Sequence, residues 1–157
     1  MGFSLNERDR RYQAVRVSME TAGLDALIVY GSTGVGGQWR GNFSYLTDYC
    51  PIFASAAVYF PLEGEPVAFI PGENQLLDAR RPGWIEDMRL TGNPVGELCA
   101  HVSSLKAASG KIGISSFSAI PSEDMNEIRG KLSGAELVDG VFAVFDAREK
   151  KSEEELE

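Results

Sequence analysis

Residues 23–60 read GLDALIVYGSTGVGGQWRGNFSYLTDYCPIFASAAVYF, and this stretch decides the fold. The apolar run 26–30 predicts one strand, and 54–60 predicts another. A strand that is apolar on both faces is typical of the centre of a sheet with helices on each side. Between the two strands a glycine-rich stretch leads into the aromatic segment 39–45, which we predict to be a loop. We therefore expect specific contacts with a ligand or partner at this loop.

On either side of this stretch, predicted strands and helices alternate. Asn6 is the expected N-cap of a first helix, and Gly23 supplies its left-handed end. One hairpin interrupts the alternation, because two β-rich runs flank a short turn that contains Gly64. The remaining predicted elements are a helix over 73–80, a strand over 84–90, a helix capped by Asn93, a strand over 111–114, a helix from Ser122, a strand over 135–138 and a helix from Val141. This order predicts an α/β domain with a mixed β-sheet.

Composition excludes several classes of function. The chain has 157 residues, which fits one domain, and a formal net charge of −8. Nucleic acid is not an expected partner, because phosphate binding needs a basic surface. A membrane is not expected either, since no apolar run approaches the ~18–20 residues of a span. Without a signal peptide pattern, we expect the cytoplasm, with Cys50 and Cys99 as small buried hydrophobic residues in a reduced compartment.

The glycine-rich stretch superficially suggests a phosphate site. A P-loop would end in Gly-Lys-Ser/Thr, but Gly37 is followed by Gln38 and Trp39. A dinucleotide site would need a helix that opens at the glycines and an acidic residue ~20 positions later. We expect the aromatic loop instead, so a nucleotide-binding α/β domain is the least favoured alternative.

The residues predict no catalytic and no metal-binding group in this chain. His101 is the sole histidine, and Glu97 precedes it by one helical turn. A partly exposed helical histidine beside a glutamate is commoner than a metal site, which needs further ligands. No Gly-x-Ser-x-Gly motif is present. The acidic run 153–155 is typical of a solvated helix face.

The order and spacing of four segments resemble the N-terminal domain of the creatinase/prolidase/aminopeptidase P family of pita-bread metallopeptidases. They are METAGLDAL at 19–27, NFSYLTDY at 42–49, VYFPLEGEP at 58–66, and LVD at 137–139 with REKKSEEEL at 148–156. For 1–147 the resemblance implies a ribonuclease-H-like mixed sheet with helices on both faces. It assigns 148–157 to a linker and the start of a C-terminal catalytic domain that is absent here.

The resemblance also implies a function. The chain would be the non-catalytic N-terminal domain of a metal-dependent Xaa-Pro peptidase or creatinase-like hydrolase. Two divalent ions (manganese, cobalt or zinc) would be held by the C-terminal domain and none by this chain. Expected partners are that catalytic domain and a second copy in a homo-oligomer, a dimer. A free-standing binding or assembly module stays open as an alternative, which the natural reading frame beyond Glu157 would decide.

In relatives, the segment before Tyr-x-Thr approaches a neighbouring subunit's active site. The matching residues form a candidate substrate-entrance or interface loop: Trp39, Arg40, Asn42, Phe43 and Tyr45. For Tyr45 we favour plugging the sheet edge over touching substrate, and Trp39 is equally suited to anchor an interface.

This chain departs from the family pattern at three places. Ser44 stands where several relatives carry an aromatic residue, and Asp48 stands where the family usually has glycine. Creatinase uses an arginine in the following strand region for its substrate carboxylate, but 49–60 contains none. We therefore do not expect creatinase activity itself.

Overall fold

The computed structural model describes residues 2–32, 38–52, 54–118 and 120–156, without the side chains of 38–40. Helices and strands alternate along the chain, with a short 3-10 turn at Lys106–Ser109. In chain order the elements are α1 Leu5–Ala22, β1 Ala26–Gly31, α2 Gln38–Thr47, β2 Ala56–Pro61, β3 Val67–Ile70, α3 Glu73–Arg80, β4 Asp87–Leu90, α4 Pro94–Ser103, β5 Lys111–Ile114, α5 Ser122–Lys131, β6 Glu136–Asp139 and α6 Val141–Glu149.

The six strands form one mixed sheet in the order β4-β3-β2-β1-β5-β6. β2 runs antiparallel to both of its neighbours, whereas the β1–β5, β5–β6 and β3–β4 pairs are parallel. The predicted β2–β3 hairpin is present. The mixed α/β sheet predicted from the sequence is thus confirmed.

Two hydrophobic cores lie on opposite faces of this sheet. Successive side chains of a strand point to opposite faces, so Leu27 and Val29 enter one core while Ile28 and Tyr30 enter the other. Helices α1, α2, α3 and α6 cover the first face, and α4 and α5 cover the second. The expectation of helices on both faces is confirmed, and β1 is buried along its whole length for this reason.

The first helix starts earlier than expected. Ser4 is its N-cap, and the Ser4 Oγ accepts a hydrogen bond from the Glu7 backbone N at 3.1 Å. The prediction of Asn6 as the cap was therefore wrong. Ser-x-x-Glu is the capping-box signature, which favours Ser4. Gly23 closes the helix in the left-handed region with φ 65°, as predicted.

The strand predicted over 84–90 is shorter than expected, because β4 begins at Asp87. Trp84 and Ile85 are buried before it begins. The Trp84 indole packs edge-on against Tyr12 of α1, with ring centroids 6.4 Å apart. Its apolar character therefore serves the core beneath α1 and not strand pairing.

The expectation of an aromatic loop over 39–45 was wrong, because these residues belong to helix α2. Asn42, Phe43, Leu46 and Thr47 are all buried and form one helical face. Gly31 at the end of β1 makes room for this face, since an added Cβ there would lie 2.6 Å from the Phe43 ring. Burial against β1 thus offsets the weak helix propensity of a segment that contains glycine, asparagine and serine.

Candidate functional site

Three of the five candidate site residues lie inside the protein. Asn42, Phe43 and Tyr45 are 2%, 0% and 5% exposed. Trp39 and Arg40 lie in the first turn of α2, and their side chains fall outside the described residues. The three buried residues therefore position α2, and their role toward a substrate stays a prediction.

Both groups of the Asn42 side-chain amide are hydrogen-bonded. Its Nδ2 donates to the Ser115 carbonyl at 3.0 Å, and its Oδ1 accepts from Arg148 Nη1 at 2.8 Å. Ser115 follows β5, and Arg148 lies in the last turn of α6. Asn42 thus joins α2 to the carboxyl end of β5 and to the C-terminal segment.

Tyr45 connects the same elements from the other side of α2. Its hydroxyl donates to the Ala147 carbonyl at 3.0 Å, and its own carbonyl accepts from Arg11 Nη1 at 3.2 Å. Burial raises the pKa of the Tyr45 phenol. The phenol is therefore neutral at physiological pH and acts as a structural donor.

Arg11 is the centre of a buried ionic cluster that the sequence did not reveal. It is 3% exposed, and its Nε donates to Glu7 Oε1 at 2.7 Å. Its Nη2 lies 3.1 Å from Glu155 Oε1. The rings of Phe3 and Tyr45 lie 4.1 and 4.5 Å from its guanidinium carbon, within cation–π range.

Glu7 is held ionised by the same cluster. Arg10 donates to both of its carboxylate oxygens, at 2.7 and 2.8 Å, and Arg11 donates to one of them. These hydrogen bonds, Arg10's first, lower the pKa of Glu7 to about 2. At neutral pH this carboxylate is an ion-pair partner and no proton donor.

A groove of roughly 300 Å³ lies between α2 and the C-terminal segment. Gly41 and Ser44 of α2 form one side, and Arg148 and Lys151 line the other. Asp48 also lines the groove. It is an open surface groove, and Tyr45 is the candidate residue that lines it among those whose side chains are described.

Asp48 stands where the family usually has glycine. The backbone conformation at this position explains why glycine is usual there. Its φ is +51°, in the left-handed region that favours glycine and that aspartate tolerates better than most residues. Its Oδ2 accepts the Phe3 backbone N at 2.9 Å, which holds the start of the chain on α2. Burial raises the pKa of the Asp48 carboxyl.

The expectation that no helix follows the glycine-rich stretch was wrong. A helix does begin directly after the glycine-rich stretch, at Gln38. However, β2 runs antiparallel to β1, and a dinucleotide fold needs a parallel βαβ unit there. Gly34, Gly36 and Gly37 lie outside the described residues. The sheet topology therefore disfavours the nucleotide-binding alternative.

His101 is poorly placed for a metal ion. Its Nδ1 lies 3.4 Å from Arg89 Nη1, and burial together with this neighbouring charge lowers the pKa of the imidazole. Within the described residues, no group of three or more His, Cys, Asp or Glu side chains could hold a metal.

None of the described helices is long and apolar enough to cross a membrane.

The two cysteines differ in their surroundings. Cys99 is buried, which raises its thiol pKa to about 11. Cys50 is exposed, so the expectation that both are buried was wrong. Cys50 lies at the surface, three residues after the end of α2.

Sequence reasoning missed the ionic partners Arg11, Arg148 and Glu155. One local signal was present, because Ser152-x-x-Glu155 is a capping box like the one that starts α1. Ser152 N donates to Glu155 Oε2 at 3.0 Å, and Glu155 N donates to Ser152 Oγ at 3.2 Å. The signal predicts a helix start, but it does not predict which residues of α1 the segment contacts.

The mixed sheet and its helices define an α/β domain of the kind found at the N-terminus of dipeptidases and prolidases. The family model for the Creatinase/Prolidase N-terminal domain matches residues 11–148, so the chain belongs to that family. None of the curated proteins compared with the chain matches it significantly.

Solved structures give the same fold at low sequence identity. The N-terminal domain of the cytoplasmic peptidase PepQ from Mycobacterium tuberculosis is 18% identical with a TM-score of 0.69, covering 88% of this chain and 98% of that one. The Pyrococcus horikoshii prolidase is 16% identical with a TM-score of 0.67, covering 93% and 37% respectively. The Thermococcus sibiricus prolidase is 18% identical with a TM-score of 0.71, covering 98% and 40%. The chain therefore spans well under half the length of these two prolidases.

Proposed function

We propose that this chain is the non-catalytic N-terminal domain of a metal-dependent Xaa-Pro peptidase or creatinase-like hydrolase. It would shape the substrate entrance and contribute to oligomer contacts. The observation that carries the proposal is the family match over residues 11–148. The coverage of solved structures supports it, because the chain matches nearly all of an isolated N-terminal domain but only 37% of a whole prolidase.

In this proposal the catalytic metal ions belong to a C-terminal domain. Two divalent ions (manganese, cobalt or zinc) would supply an activated water for attack on the substrate. This chain's own residues would then orient and select the substrate.

We assign different tasks to the candidate residues within α2. Asn42, Phe43 and Tyr45 hold the helix in place through their buried contacts. Direct contact with substrate, or with a second subunit, would fall to Trp39 and Arg40 at the start of the helix. An arginine suits a peptide carboxylate, because its guanidinium donates two parallel hydrogen bonds.

An exposed apolar surface supports assembly into a homo-oligomer, with a dimer as the expected form. Phe142 and Phe145 of α6 are 67% and 46% exposed, and Val17 of α1 is 49% exposed. Val17 and Phe142 line the same surface depression. Exposed apolar patches of this kind mark protein contacts. The cytoplasm is the proposed compartment, and a PepQ relative carries that description.

The test compares the 157-residue chain with the natural reading frame that contains it, using Xaa-Pro peptides and added manganese or cobalt. We expect metal binding and turnover only when a catalytic domain is present. Stoichiometric metal binding or hydrolysis by the 157 residues alone would refute the proposal. A reading frame without that domain would favour the free-standing module.

The entrance role is tested in the same enzyme with Arg40→Ala. We expect a fall in kcat/KM of about tenfold or more, because a lost charge-assisted hydrogen bond costs about 1.5–3 kcal/mol. Arg81→Ala is the matched control, since the Arg81 side chain is 80% exposed at the end of α3. If Arg40→Ala and Arg81→Ala were equally active, Arg40 would have no role in binding the substrate.

A further inference from the structure

The last two residues of α6 and the segment that follows them are held on the surface of the domain. Residues 148–156, called the strap below, fold back across the ends of α1 and α2. Two anchors hold it, one at Arg148 and one at Glu155. Each joins residues more than a hundred positions apart in the chain.

The first anchor fixes the strap to α2. Arg148 donates to Asn42 Oδ1 at 2.8 Å, and its guanidinium packs directly on the backbone of Gly41. A Cβ at Gly41 would overlap that guanidinium. Glycine inside a helix costs about 1 kcal/mol relative to alanine, so the contact with Arg148 offsets a real penalty. The anchor lies immediately after the turn that carries Trp39 and Arg40.

The second anchor fixes the strap to α1. Glu155 is 10% exposed, and its two carboxylate oxygens bind different arginines. Oε2 lies 2.8 Å from Arg10 Nη2, and Oε1 lies 3.1 Å from Arg11 Nη2. Breaking a buried ion pair is costly, because it leaves an uncompensated charge in a medium of low polarity.

A third contact joins the strap to Ser4, the N-cap residue of α1. Glu154 Oε1 accepts the Ser4 backbone N at 2.6 Å, and its Oε2 accepts the Ser4 hydroxyl at 2.7 Å. The same Ser4 hydroxyl accepts from Glu7 N as the N-cap. The start of α1 and the end of the strap thus share one hydrogen-bond network.

We propose that the strap is a coupling element, in which Glu155 and Arg148 are positioning residues that hold the first turn of α2 against α1. In this arrangement the backbone of the first turn of α2 keeps its place only while the strap is docked. The two reciprocal hydrogen bonds between Ser152 and Glu155 fix the conformation of the turn at the end of the strap. The inference concerns the folded chain itself and does not depend on the proposed function.

Hydrogen–deuterium exchange of single amides tests the coupling. The amides of 42–44 report the first turn of α2, because in an α-helix they donate to the carbonyls of 38–40. The amides of Leu27 and Val29 in β1 report global opening. In Glu155→Gln we expect exchange at 42–44 to rise about tenfold relative to these β1 amides. Glu153→Gln is the matched control, because Glu153 is an exposed residue of the same segment.

Arg148→Met provides the reciprocal measurement. Coupling between two sites acts equally in both directions, so this variant should speed exchange at the Ser152 and Glu155 amides as well as at 42–44. It leaves the ion pairs of Glu155 intact, so it carries the test even if Glu155→Gln does not fold. If amide exchange rises only next to the mutated anchor, the proposal is wrong. It is also wrong if exchange rises by the same factor as at the β1 amides.

Discussion

At the scale of single residues, Glu7 determines how the fold responds to acid. Its carboxylate is 4% exposed and accepts hydrogen bonds from Arg10 and Arg11. Folding lowers its pKa from 4.5 to about 2. A carboxyl whose pKa falls on folding stabilises the native state at pH values above its unfolded pKa. That stabilisation is lost as the pH falls from 4.5 toward 2.

We predict that Glu7→Gln lowers the free energy of unfolding at pH 7 by about 3 kcal/mol, because it leaves the buried Arg11 with one carboxylate fewer. The variant's unfolding midpoint should also fall less steeply than the wild type's between pH 4.5 and 2. Thermal unfolding over this range measures both effects. Glu20→Gln, an exposed position of the same helix, is the control. Parallel pH curves for wild type and Glu7→Gln would contradict the prediction.

At the scale of secondary structure, α2 is held by its tertiary contacts and has little helix propensity of its own. Its buried face packs on β1, and Gly41 in its interior receives Arg148. An alanine at 41 would favour the isolated helix but displace the guanidinium. Helix propensity and packing therefore oppose each other at this position.

We predict that Gly41→Ala destabilises the chain by up to about 1 kcal/mol in the wild-type background. In an Arg148→Met background the same change should stabilise it by about 0.5–1 kcal/mol, because only helix propensity then counts. Gly130→Ala in α5 is the control, since open space surrounds Gly130 and the gain should appear in both backgrounds. Urea unfolding measures the four-variant cycle. If Gly41→Ala changed the free energy of unfolding equally in the two backgrounds, the contact with Arg148 would not determine its effect.

At the scale of the whole molecule, one sheet serves both cores. The central strands β1, β2 and β3 contribute buried side chains to both cores, so the loss of either core removes packing from the same three strands. Leu98 of α4 is fully buried on one face, and Trp84 belongs to the core on the other. We therefore expect the two faces to unfold together.

We predict that Leu98→Ala lowers the free energy of unfolding by about 3 kcal/mol, the typical cost of such a cavity. Trp84 fluorescence should report the same shifted transition as far-UV circular dichroism, although Trp84 is on the opposite face. A Trp39→Phe background leaves Trp84 as the sole tryptophan. A fluorescence transition that stays at the wild-type urea concentration would mean that the cores unfold separately.

Most of the elements could be predicted because their signals are local. The apolar run of β1, the Gly23 helix end and the Asn93 cap each lie within a few residues of what they determine. The α1 cap was predicted two residues too late, at Asn6, although the capping box Ser4-x-x-Glu7 marks Ser4. Helix α2 was not predicted, because its apolar pattern covers only a few residues and because its glycine, asparagine and serine favour loops.

The sequence by itself determined the alternation of strands and helices, the acidic surface and the family, since these depend on periodicity, composition and order along the chain. Only the tertiary structure decided that Asn42 and Tyr45 face inward and that the strap is docked on α1 and α2. The Asn42–Arg148 contact joins residues 106 positions apart. Contacts at that separation leave no periodic trace in one sequence, because the partners meet only after the sheet has brought their elements together.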